Sequence, residues 1–110
     1  MVSVDIDLSA VNDWDSFHAE FARVLGFPEF YGHNMNAWED VMSDLSKPDV
    51  VGMTRLKVPR GEELILVLKG AVDFRKRQPE MFAALFDSTA NVNRMKVNME
   101  RPTRLLLLPL

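Results

Sequence analysis

The sequence predicts an α/β domain in which a small three-stranded parallel sheet packs with about four helices. Residues 2–9 alternate between apolar and polar side chains, residues 64–68 and 105–108 are unbroken apolar runs, and helical patterns separate the three segments. Strands joined by helical crossovers are typical of parallel sheets, whose strands lie buried between other layers. A length of 110 residues suits one hydrophobic core, so we expect residues 1–110 to form a single domain.

The first strand and the first helix follow from residue spacing. The apolar residues of 2–9 share one side of an extended chain, which predicts a half-buried strand. Asn12 or Asp13 can cap a following helix, and Gly26 and Pro28 end it. The apolar positions of this helix recur at spacings of three and four, at Trp14, Phe17, Phe21, Val24 and Leu25.

A connection over residues 28–32 leads to a second helix, which Asn34 can cap and which we expect to run to about Leu45. One side of this helix is apolar, with Ala37, Trp38, Val41, Met42 and Leu45. The other side carries Asn36, Glu39, Asp40, Ser43 and Asp44. We therefore expect one face to pack in the core and the other to present carboxylates to solvent.

The rest of the chain alternates between loop, strand and helix. Prolines and glycines make residues 46–62 a loop, with a short edge strand expected over residues 54–58. The two apolar runs predict buried strands. Between them we expect a short helix over residues 71–77 and a longer one that begins at Pro79 and ends near Val97.

Composition excludes several classes of protein. The absence of cysteine rules out disulfides and thiolate chemistry and suits a reducing cytoplasm. No apolar stretch approaches the ~18 residues of a membrane span, and the first residues lack the basic and apolar regions of a secretion signal. We expect a cytoplasmic protein that does not contact a membrane.

Charge is divided unevenly along the chain. The net charge is −3, but residues 1–49 hold ten acids and two bases, whereas residues 50–110 hold six acids and eleven bases. If folding does not mix the two halves, the first half will attract a basic partner and repel nucleic acid. If folding does mix them, the asymmetry has no consequence.

The sequence lacks the patterns that catalysis or cofactor binding requires. The two histidines, His18 and His33, do not have metal-ligand spacing, and no glycine motif for nucleotides or for a nucleophilic serine is present. Neighbouring carboxylates such as Glu39 and Asp40 on one exposed helix rarely occupy the apolar cleft that acid–base catalysis needs. We therefore predict no catalytic residue, no cofactor and no metal.

The segment PEFYGHNMNAWEDVMSDL, residues 28–45, resembles the signature segment of the barstar family of bacterial ribonuclease inhibitors. The predicted order of strands and helices from Val2 to Leu110 also matches that family. The resemblance implies a barstar-like α/β fold. It further implies that the second helix and the turn before it fill the active-site cleft of a small basic ribonuclease.

The resemblance also implies which residues contact the enzyme. Asp40 occupies the position of the family's principal aspartate, which takes the place of an RNA phosphate. Phe30 falls where the family has an aromatic ring that stacks on a catalytic histidine. The complete set of partner-binding residues expected from the resemblance is Phe30, Gly32, Asn34, Met35, Asn36, Glu39, Asp40, Ser43 and Asp44.

The function implied by the resemblance is stoichiometric inhibition of a barnase-type ribonuclease, without enzymatic activity. We expect a monomer that forms a one-to-one complex with the ribonuclease through an acidic helix at residues 34–45, with no direct contact to nucleic acid. An alternative is an immunity or regulatory module for another basic nuclease toxin. A third reading, a small hydrolase using Glu39, Asp40 and His33, is motivated only by their proximity in the sequence.

Overall fold

The computed structural model describes residues 1–47, 54–98 and 102–110. The chain begins with strand β1 (Val2–Asp7) and a single 3-10 turn (Leu8–Ala10), followed by the helices α1 (Trp14–Leu25) and α2 (Met35–Met42). Strand β2 (Leu64–Lys69), helices α3 (Ala71–Arg77) and α4 (Pro79–Met95) and strand β3 (Leu105–Pro109) complete it. The predicted α/β fold, with three strands and four helices, is confirmed.

The three strands form one parallel sheet in the order β1-β2-β3. Val2 is opposite Leu64, and Leu64 is opposite Leu105, so the strands are paired along their whole lengths. Helix α1 packs against β1, α4 packs against β3, and α2 packs against α4. The core between sheet and helices contains large, fully buried side chains, including Phe17, Phe21, Trp38, Phe74, Ile6, Leu64, Leu66 and Leu68.

Helix α1 is fixed at both ends and along its side. Asp13 caps it by accepting the Ser16 backbone N–H at 2.8 Å, and the Ser16 hydroxyl accepts the Asp13 N–H in return. Gly26 ends it in the left-handed conformation at φ 71°, which a side chain would disfavour. The buried carboxylate of Glu20 accepts the Asp7 N–H at 2.8 Å and pairs with Arg23, so this helix is tied to β1.

Strand β3 lies at an edge of the sheet. The residues that flank it, Arg104 and Leu110, bond to β2 through their backbone groups, so the backbone groups of Leu105 face away from the sheet. The Asn93 carboxamide of α4 bonds both of them, donating to the Leu105 carbonyl at 3.0 Å and accepting the Leu105 N–H at 2.9 Å. Leu106 and Leu108 are 44% and 46% exposed, so the prediction of a fully buried strand is wrong for the outer face.

Two other expectations need correction. Residues 54–58 do not form a strand: the N–H groups of Arg55 and Leu56 bond to the carbonyls of Gly26 and Leu25, which makes the segment an irregular strap across the end of α1. Helix α2 ends at Met42 rather than near Leu45 and continues as a turn. Residues 48–53 of the predicted 46–62 loop lie outside the described residues.

Candidate functional site

The turn before α2 is held in one conformation by short-range hydrogen bonds. The Tyr31 N–H donates to the Pro28 carbonyl at 3.0 Å. Asn34 caps α2 by accepting the Ala37 N–H at 2.8 Å, and its amide group donates to the Gly32 carbonyl at 3.1 Å. The predicted cap is confirmed, and it joins turn and helix into one rigid unit.

Tyr31 anchors this turn to α1. Its ring is buried and lies 4.6 Å from the Phe27 ring between centroids, and its hydroxyl is 2.5 Å from Nδ1 of His18. Burial lowers the pKa of His18 to about 4 and raises the pKa of Tyr31, so near pH 7 a neutral imidazole and a protonated tyrosine share this hydrogen bond. His18 is therefore a buried histidine whose Nδ1 has a hydrogen-bond partner.

Phe30 points the opposite way from its neighbour Tyr31. With Tyr31 fixed in the core, the Phe30 ring is 78% exposed, which is unusual for a large apolar side chain in a rigid turn. It lines a pocket of about 300 Å³ that Asp40 also lines. The pocket is bounded by Pro28, Phe30, Tyr31, Gly32, Ala37, Asp40 and Val41. The structure thus brings the predicted aromatic and the predicted aspartate to one concave surface.

Helix α2 has the two faces that its sequence predicts. Trp38, Val41 and Met42 are buried, and the Trp38 indole lies edge-on to Phe21 at 5.6 Å. Asn36 and Asp40 are exposed on the other face. Because the buried face is fixed in the core, the exposed face holds its polar groups in a defined arrangement.

The other predicted site residues on and after α2 differ in exposure and in hydrogen bonding. Glu39 is half-buried and accepts a hydrogen bond from the Asn91 amide of α4 at 3.1 Å. The Ser43 hydroxyl donates to the Asp40 carbonyl at 2.8 Å. Met35 is half-buried in the first turn of the helix. Asp40 is therefore the more exposed carboxylate of α2, whereas Glu39 is half-buried and hydrogen-bonded to α4.

Asp44 is not on the exposed face, so the exposure predicted for it is wrong. It is 3% exposed and pairs with Lys47 Nζ at 2.6 Å. It also acts on the buried ammonium of Lys96, whose pKa is lowered by burial and raised in part by the charge of Asp44. Because α2 has ended by this point, the chain turns Asp44 inward to these two lysines.

A second pocket, of about 360 Å³, lies on the other side of the same turn. It is lined by Trp14, His18, His33, Asn34 and Met35. Trp14 was predicted to pack as a core position of the first helix, but it is 40% exposed because it is the first residue of α1 and no earlier turn covers it. The spacing of apolar residues alone therefore does not predict the exposure of Trp14.

The described part of the chain shows no metal-binding arrangement and no membrane-spanning helix. Within it, no group of three or more histidines and carboxylates is placed to hold a metal ion. None of the helices in these ranges is long and apolar enough to cross a bilayer. His33 contacts Asp15, 3.9 Å from its Nδ1.

A family model described as Barstar (barnase inhibitor) matches residues 1–107. No curated protein matches the chain significantly. The match covers both pockets, the whole of α2 and nearly all of the sheet.

Proposed function

Because the chain belongs to the barstar family of barnase inhibitors, we propose that it inhibits a basic ribonuclease by inserting α2 and the preceding turn into the active site of the enzyme. The observation that carries this proposal is the pairing of an exposed Asp40 carboxylate with an exposed Phe30 ring around one pocket. The complex has one inhibitor per enzyme, and the free inhibitor is a monomer in the cytoplasm. It does not bind RNA.

The chemistry of the site suits an enzyme that binds phosphate. A ribonuclease holds RNA phosphates with arginine, lysine and histidine side chains, and a carboxylate can take the place of one phosphate. Arginine grips a carboxylate through two parallel hydrogen bonds, as it grips a phosphate. Asp40 presents such a carboxylate at the surface, and Phe30 offers a flat apolar face to a catalytic side chain next to it.

Rigidity favours tight binding by this surface. Asn34 fixes the start of α2, and the bond between His18 and Tyr31 fixes the turn that carries Phe30. Binding therefore orders few additional groups, and the entropic cost of association is low.

The structure gives little support to catalysis by the same residues. Glu39 accepts a hydrogen bond from Asn91, and His33 contacts the Asp15 carboxylate of α1. We propose that the protein is not an enzyme.

The experiment is titration calorimetry of the wild type and of Asp40→Ala against a barnase-type ribonuclease, with RNA cleavage followed in parallel. We expect one-to-one binding that blocks cleavage and weakens at high salt. Loss of the hydrogen bonds that Asp40 makes to charged groups should cost about 3 kcal/mol, roughly a hundredfold in Kd. Asp5→Ala is the matched control, since Asp5 is exposed on β1 and its substitution removes the same charge.

Two results would contradict the proposal. If Asp40→Ala and Asp5→Ala bind equally well, the site is elsewhere on the molecule. If the wild type inhibits no barnase-type ribonuclease, the partner is another basic protein, such as a different nuclease toxin, and a pull-down from the host would identify it.

A further inference from the structure

The surface assigned above is small for a stable complex between two proteins. Such interfaces cover about 800 Å² on each partner and involve roughly 20–30 residues a side. The predicted set has nine residues, of which Asp44 is buried and Met35, Glu39 and Ser43 are half-buried. The contact with the enzyme must therefore extend beyond α2 and its turn, either over α4 or over the start of α1.

Charge does not favour the α4 side. Asn91 of α4 binds Glu39, and the exposed charged residues one turn to either side of it are Asp87 and Arg94. Arg94 also donates to the Asn91 side chain, which holds a positive charge next to Glu39. These two charges cancel, so this side offers a basic enzyme no net attraction.

The α1 side is acidic and has an aromatic surface. Asp13 and Asp15 are both exposed, and the Asp15 side chain is 95% exposed. Next to them the Trp14 ring forms part of the second pocket, which shares Asn34 and Met35 with the predicted partner-binding set. The pocket therefore borders the predicted partner-binding set at the start of α2.

We propose that the ribonuclease also covers the start of α1, where an arginine side chain of the enzyme lies on the Trp14 ring and pairs with Asp15. This inference rests on the proposed function and extends its interface. A guanidinium is planar, stacks on aromatic faces and binds carboxylates through two hydrogen bonds, so it matches both groups at once. Tryptophan offers the best face for such a cation.

The groups behind Trp14 are compatible with a cation. The His18 ring stacks on the Trp14 ring at 5.9 Å between centroids and 24° between planes. Burial lowers the pKa of His18 to about 4, so this ring is neutral near pH 7 and does not repel a guanidinium. The remaining titratable neighbour is His33, which faces both His18 and Asp15.

Three charge reversals of equal size test the inference in the complex with the ribonuclease. Asp15→Lys changes the proposed contact, Asp87→Lys changes the α4 side, and Asp5→Lys changes the outward face of β1. All three residues are exposed, so the fold should tolerate each change, and thermal melting checks this. We expect the inhibition constant of Asp15→Lys to be about tenfold or more above that of Asp5→Lys. The inhibition constants of Asp87→Lys and Asp5→Lys should agree within about twofold.

A spectroscopic readout follows the aromatic contact directly. The chain has two tryptophans, Trp14 and the fully buried Trp38, so a ¹⁵N-labelled inhibitor shows two indole N–H signals. Binding of unlabelled ribonuclease should shift the Trp14 signal strongly and the Trp38 signal little.

Each outcome decides between the two proposals. If Asp40→Ala abolishes inhibition but Asp15→Lys acts no more strongly than Asp5→Lys, the extension over α1 is wrong and the proposed function stands. A larger effect of Asp87→Lys than of Asp15→Lys would place the extension on α4 and overturn the inference. Failure of the wild type to inhibit any barnase-type ribonuclease would overturn both.

Discussion

Burial of His18 makes the stability of the protein depend on pH. His18 is 1% exposed, and burial lowers its pKa from 6.5 to about 4. Above about pH 6.5 the imidazole is neutral in both the folded and the unfolded chain. As the pH falls from 6.5 to 4, the unfolded chain binds a proton that the folded protein excludes, so the free energy of unfolding decreases.

The size of this effect follows from the two pKa values. A difference of about 2.5 units corresponds to about 3 kcal/mol of lost stability at pH values below 4, and about 2 kcal/mol of it is lost by pH 5. This is a large share of the roughly 5–15 kcal/mol that holds a typical domain folded. The turn that carries Phe30 depends on the bond between His18 and Tyr31, so its position should be lost in the same pH range.

Urea unfolding at a series of pH values between 8 and 4.5 measures the effect. His18→Asn keeps an acceptor near the position of Nδ1 but does not titrate, so its stability should be lower at pH 8 and should fall less steeply below pH 6.5. His33→Asn removes the other histidine, which is exposed and whose charge contributes less than burial to the lowered pKa of His18, so this variant should keep most of the pH dependence. If the wild type and His18→Asn lose stability in parallel between pH 6.5 and 5, burial of a neutral His18 is not the cause.

Two further predictions concern the turn and the helix that follows it. Asn34→Ala removes the cap on the Ala37 N–H, so it should lower the free energy of unfolding by about 1 kcal/mol in thermal melting and weaken inhibition as the start of α2 frays; unchanged stability would mean that the cap does not hold the helix. Phe30→Ala should leave stability within about 0.5 kcal/mol of the wild type, since the ring is exposed, yet weaken ribonuclease binding about tenfold in calorimetry. Equal binding by Phe30→Ala and wild type would remove this ring from the interface.

Features that depend on neighbours in the sequence could be predicted. The alternation of residues 2–9 requires an extended chain with one buried face, and β1 occupies Val2–Asp7. Asp13, Gly26 and Asn34 act at helix ends through bonds to residues within four positions, so their roles can be inferred from local chemistry. Much of the fold is determined at this level.

Features that depend on distant residues could not be predicted. The buried Asp44 interacts with the charge of Lys96, which comes from the end of α4, and no local pattern joins the two. The bond between Glu39 and Asn91 also links positions far apart in the chain. It gives Glu39 a partner within the protein, whereas we propose that the partner of Asp40 is the ribonuclease. A helical wheel treats these carboxylates alike, whereas in the structure Asp44 is buried, Glu39 is half-buried and Asp40 is exposed.

The contact between Asn93 and β3 has a consequence for the behaviour of the protein at high concentration. An uncovered edge strand rich in leucine is a template on which other chains can pair and aggregate. The Asn93 side chain occupies the backbone groups of Leu105 as a neighbouring strand would, and Pro109 has no N–H to offer. At the opposite edge, β1 directs Asp5 and Asp7 outward, which repels a second copy. These features disfavour pairing of a second copy with either edge of the sheet, and they should therefore lower the tendency of the protein to form fibres.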